Sequence, residues 1–127
     1  MQKQKDIFEN FSEKFPILNK TYDLYKDTSE ISKSEENTLR KSSEITVLEI
    51  LELIVIATRQ GREEKRQTLK QALRKLDTLK VFIDMAGQLK LLNEKNQSQI
   101  KESVDSVGKM LGGWMKALKP AETASAA

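Results

Sequence analysis

Apolar residues recur in steps of three and four along almost the whole chain, and that period constrains the fold more than any other feature. The last third carries Ile100, Val104, Val107, Leu111, Trp114 and Leu118. Before it come Leu69, Ala72, Leu73, Leu76, Leu79, Ile83 and Ala86, and near the start Phe8, Phe11, Phe15, Leu18, Tyr22 and Tyr25. A helix completes a turn every 3.6 residues, so such steps lay apolar side chains along one stripe; a half-buried strand needs strict alternation instead. Five glycines and two prolines in 127 residues are also too few for the turns of a sandwich or barrel. The sequence therefore reads as all-α.

Punctuation divides the pattern. Proline is tolerated in the first turn of a helix but costs ~3 kcal/mol in its interior, so the first main helix is expected to start near Pro16 and run to about Ser32. Residues 1–14 form an N-terminal extension, either a separate turn or helix or a segment loose until it meets a partner. The polar stretch SKSEEN (Ser32–Asn37) separates the second helix, with Thr38 or Ser42 as its N-cap. That helix should run to about Gln60, with Gly61 ending it as a left-handed cap. The third helix reaches about Leu92, Asn93 marks the next turn, and the fourth ends at Pro120, leaving 120–127 as a disordered tail. Short connections make sequence neighbours antiparallel, so residues 15–119 are expected to form an up-down-up-down four-helix bundle.

Two segments suggest more packing than one small domain supplies. In VLEILELIVIA (Val47–Ala57) only Glu49 and Glu52 are polar, whereas a rim helix needs an apolar stripe only ~100° wide. This helix is either unusually central or buries a second face against another subunit. The second reading is the stronger, with Ile50, Leu53 and Ile54 as oligomer-packing residues. In GKMLGGWMK (Gly108–Lys116), each helical glycine costs ~1 kcal/mol relative to alanine. Gly108, Gly112 and Gly113, beside Trp114, therefore point to close approach within the bundle or between subunits.

Charge is uneven. The net charge is +3, but Met1–Gln60 carries nine basic and eleven acidic residues, and Gly61–Ala127 carries thirteen basic and eight acidic. Arg62, Arg66, Lys70 and Arg74 recur every four residues beside the apolar stripe of the third helix, with Arg59, Lys65 and Lys75 nearby. Such a stripe can contact successive phosphates; equally, Glu63, Glu64 and Asp77 could leave it a solvated face. No exposed aromatic series suggests base stacking. The chain lacks cysteine and histidine, which removes thiolate chemistry, the commonest general base and the commonest transition-metal ligand. With no nucleophile–base pair, phosphate loop or carboxylate dyad, the expectation is no enzyme, no cofactor and no metal. Without a signal-like apolar run or a stretch of ~18 apolar residues, a cytoplasmic, non-membrane location is expected.

Four segments carry a family resemblance: KTYDLYK (Lys20–Lys26), TVLEILELIVIAT (Thr46–Thr58), LKLLNEKN (Leu89–Asn96) and GKMLGGWMK. Together they resemble the Avd family, the accessory proteins of diversity-generating retroelements, within a wider group that includes proteins encoded in ribosomal-RNA intervening sequences. The resemblance implies a four-helix protomer in a homopentameric ring with a basic surface. It also implies association with a reverse transcriptase, and with RNA or DNA, during copying of template RNA into mutagenised cDNA. The alternative is a structural or regulatory helical protein that binds another protein and no nucleic acid.

Overall fold

The computed structural model describes residues 6–118. Among these residues it contains five helices and no strand: α1 (Ile7–Lys14), α2 (Ile17–Thr28), α3 (Thr38–Ala57), α4 (Arg62–Gln88) and α5 (Glu94–Ala117). The expected stop at Pro120, the tail 120–127 and the first five residues of the N-terminal extension lie outside the described residues.

Three helices start on side-chain caps, which satisfy N–H groups that a first turn leaves without an intrahelical acceptor. Asp6 accepts from the Glu9 N–H at 2.8 Å, Asn37 from Arg40 at 3.0 Å and Asn93 from Asn96 at 2.7 Å. Asn37, one residue ahead of Thr38, is thus the cap of α3, and Ser42 lies inside that helix. Gly61 corrects a second expectation. Its backbone is extended (φ −70°, ψ 169°) and it opens α4, so it is no left-handed end to α3. The left-handed residues are Ser32 (φ 88°) and Lys90 (φ 59°). Beyond α4, the Lys90 N–H donates to the Gly87 carbonyl at 3.1 Å and the Leu91 N–H to Ala86 at 2.9 Å, a Schellman closure. The Ser32 N–H then donates to the Leu91 carbonyl at 3.0 Å, joining the α2–α3 and α4–α5 turns.

Helix α2 packs against α3 and α5, and α4 packs against the same two helices. Their register is written in side-chain pairs. Lys75 of α4 meets Glu49 of α3 at 3.2 Å, and Thr68 donates to Gln60 at 2.6 Å. Lys101 of α5 meets Asp84 of α4 at 3.2 Å, and Ser103 donates to Asp27 of α2 at 2.9 Å. The enclosed core is aliphatic, with Leu18, Leu24, Ile50, Ile54, Leu76, Leu79, Ile83, Ile100 and Leu111 all but inaccessible to solvent. Contact of this kind, rather than helix propensity, is what stabilises short helices.

The first helical stripe runs differently from its sequence expectation. Helix α2 buries Ile17, Leu18, Thr21, Leu24 and Thr28, and Ile31 follows in the core. The series 17, 21, 24, 28, 31 has the same three-four spacing but passes through two threonines. Thr21 returns its hydroxyl to the Ile17 carbonyl at 2.8 Å and Thr28 to Tyr25 at 2.6 Å. Satisfied inside their own helix, both present only methyl groups to the core. Tyr22 is left 43% exposed, with Phe8 of α1 packed edge-on against its ring at 5.3 Å.

Candidate nucleic-acid interface

The seven basic residues around α4 divide into two groups. Four are engaged. Arg59 lies over the Phe11 ring at 5.5 Å and Lys65 over the Trp114 ring at 5.7 Å. Arg62 donates through Nε to the Leu118 carbonyl at 3.1 Å and through Nη2 to Ala117 at 3.3 Å, so it ties the start of α4 to the end of α5. Lys75 is the partner of Glu49. The other three, Arg66, Lys70 and Arg74, make no side-chain hydrogen bond or ion pair among the described residues. Spaced by four, they turn only about 40° per step, from the α5 side of α4 toward its outer face. Arg66 and Lys70 are half-exposed and Arg74 is exposed. The sequence placed all seven in one patch; the structure leaves three with free charge.

An aromatic cluster that the sequence did not reveal closes the end of the molecule where this stripe begins. Phe11 stacks on Phe15 at a centroid distance of 6.5 Å, and Phe15 on Trp114 at 5.9 Å. Residues from α1, the α1–α2 junction and α5 therefore form one series, with Arg59 and Lys65 on its outer members. A cation over an aromatic face is worth ~0.5–1 kcal/mol where exposed, and each of these rings is only half-buried. The one signal in the sequence was that Phe11, Phe15 and Trp114 are the aromatic members of their apolar stripes nearest Pro16 and Pro120.

The residues expected to pack between subunits are also redistributed. Ile50 and Ile54 have no exposed surface and fill the protomer's own core; this corrects their assignment to an intersubunit face, and Leu53 is half-buried beside them. The apolar surface that α3 turns outward is instead Ile45, Leu48 and Ile56, and α4 adds Val81, Met85 and Leu89, with Ile45, Val81 and Leu89 each more than half exposed. Gly108 is in close contact within the chain, since a Cβ there would lie 3.3 Å from Leu76 Cδ2. Gly112 and Gly113 face open space, and a Cβ on either would meet nothing within 4 Å. Packing inside the protomer therefore does not account for them.

Among the described residues, no group of three or more acidic side chains is placed to hold a metal ion, and no helix is long and apolar enough to cross a membrane. Fold and surface together define an all-α protein whose distinctive features lie on helix faces and at one end of the helices. A family model described as bAvd-like matches residues 11–118, and the chain belongs to that family, the one its four motifs resemble. No curated protein matches the chain. The matched span takes in Phe11, Phe15, the whole basic stripe and Trp114, while the first turn of α1 lies outside it.

Proposed function

We propose that this chain is a non-catalytic accessory protein of a diversity-generating retroelement. In this reading it binds the element's reverse transcriptase and nucleic acid, template RNA or cDNA, in the cytoplasm. Membership of the bAvd-like family supports the role, and one observation carries the nucleic-acid part: Arg66, Lys70 and Arg74 keep unneutralised charge along a single helix. Each phosphate such a stripe neutralises releases counterions, so affinity falls with salt in proportion to the contacts made.

Charge reversal tests this. In the double variant Arg66→Glu/Lys70→Glu, single-stranded RNA should bind at least tenfold more weakly at low salt. Two lost phosphate contacts should also flatten the slope of log affinity against log salt by about 1.4. If affinity and slope both stay at their wild-type values while helical content is intact, the stripe is solvated surface and the reading fails.

The protomer in this reading is a four-helix bundle assembled as a homopentameric ring. Its support is the outward apolar surface of Ile45, Leu48, Val81, Met85 and Leu89, more than isolated surface residues require. The same surface would equally serve a purely protein-binding role. A light-scattering mass near five protomers, steady in salt, would favour the ring; a stable monomer would favour the protein-binding alternative.

A further inference from the structure

Gly113 raises a question that the fold leaves open. It sits in the last turns of α5, where glycine is a poor helix former, yet no neighbour comes near the position its Cβ would take. Its missing side chain instead leaves one wall of a hollow bare. The hollow is shallow, about 290 Å³, lined by Lys14, Phe15, Pro16, Ile17, Met110, Gly113 and Trp114. That volume lies at the lower edge of ligand clefts, which run ~300–1,000 Å³, so it suits one small group. The apolar lining is two aromatic rings, a proline ring, an isoleucine and a methionine. The polar exception is Lys14, which is exposed and makes no ion pair among the described residues.

Charge selects among possible occupants. An apolar slot beside an unpaired ammonium, with Lys65 over the same tryptophan, suits a group that is flat and apolar in its body and carries negative charge at its edge. A nucleotide has that form, with a base for the slot and a phosphate for the lysines. Residues 119–127, KPAETASAA, carry no aromatic or large aliphatic side chain to fill the slot. A slot this shallow could be reached only by a base already free of pairing. The start of the Arg66–Lys70–Arg74 stripe lies at the end of α4 that carries Lys65, the lysine over this tryptophan.

We propose that the hollow between Phe15, Gly113 and Trp114 holds one unpaired base of a single-stranded nucleic acid, with Lys14 and Lys65 on the adjoining phosphates. This rests on the nucleic-acid reading above, and its test separates the two. The probes are a short fluorescein-labelled oligouridylate and a strand of equal length made abasic, which keeps the phosphates and lacks the bases. Trp114 is the only tryptophan, so its emission reports the hollow directly. Packing one base on aromatic rings should make the base-containing strand bind roughly tenfold more tightly and quench Trp114; the abasic strand should leave the emission unchanged. Gly113→Leu raises helix propensity, and its Cβ would meet nothing within 4 Å, so it should fold with its side chain over the hollow. It should erase the tenfold preference and the quenching while leaving abasic affinity intact.

Equal affinity for the two strands, with Trp114 unquenched, would overturn the hollow. If the Arg66→Glu/Lys70→Glu variant still weakened both strands, the stripe reading would survive that result. If neither strand bound, both would fall. Should Gly113→Leu keep the base preference but lose capture of the reverse transcriptase, the hollow belongs to a protein and the proposal is wrong.

Discussion

The two ends of the molecule are closed by different chemistry. At the far end, the α2–α3 and α4–α5 turns are fastened by the main chain. The Ser32 N–H reaches the Leu91 carbonyl, the Schellman pair closes α4, and Asn93 caps α5 within three residues of Leu91. At the near end, α1, α4 and α5 are fastened by side chains: Phe11, Phe15 and Trp114 in series, Arg59 and Lys65 over the outer rings, and Arg62 on the last carbonyls of α5. A main-chain closure is satisfied internally and offers little to a ligand. Half-buried rings and lysines remain available, because flexible cations can leave one partner for another. The difference teaches that the near end closes the molecule with side chains that stay partly exposed.

The largest effect that could break this comparison is at Phe15, the middle ring of the series. Burying a phenylalanine fully is worth 3–5 kcal/mol against alanine; for a half-buried ring Phe15→Ala should cost about 2 kcal/mol. The loss should be local, because the backbone of α1 comes close to α2 alone among the helices and the ring series runs only from α1 through the α1–α2 junction to α5. Amide hydrogen exchange should rise across α1 and the last turn of α5, while the Ser32 and Leu91 amides keep their protection. A uniform rise over the whole chain would mean that the ends are not separate units.

The far end is sharpened by Asn93. Removing an N-cap typically costs ~1 kcal/mol, so Asn93→Ala should lower stability by about half as much as Phe15→Ala. The exchange pattern should invert: the first turn of α5 loses protection and the aromatic end does not. If Asn93→Ala instead changed Trp114 emission, the two closures would be coupled and the contrast drawn here would collapse.

What the sequence disclosed follows the same division between local and long-range contacts. The core faces of α4 and α5 were legible because Leu76, Leu79, Ile83, Ile100, Val104 and Leu111 announce themselves by spacing alone, and all are buried. The face of α2 was not, since Thr21 and Thr28 count as polar until their hydroxyls are seen to return to their own helix. In α3, an excess of apolar residues was readable but not which side faced in. Ile50 and Ile54 became core and Ile45 and Leu48 surface, because helix periodicity does not fix rotation when both faces are apolar. The basic stripe was visible as seven charges. Its reduction to three free ones depended on partners far along the chain, such as Leu118, 56 residues from Arg62.

The smallest effect concerns one of the two left-handed residues at the far end, Lys90, whose strain glycine would relieve. Lys90 holds φ at 59°, a left-handed conformation that costs an L-residue ~1–2 kcal/mol. Glycine adopts it freely but loses ~0.5–1 kcal/mol more chain entropy on folding. The two nearly offset, so Lys90→Gly should stabilise the protein by about 0.5 kcal/mol, read as a rise in the urea midpoint at unchanged m-value. Lys90 is exposed and makes no ion pair among the described residues, so the backbone accounts for the whole change. Nucleic-acid affinity should not move, since the charge removed lies at the opposite end of α4 from Arg66. A loss of affinity equal to that of Arg66→Glu/Lys70→Glu would place binding at the main-chain end and reverse the comparison.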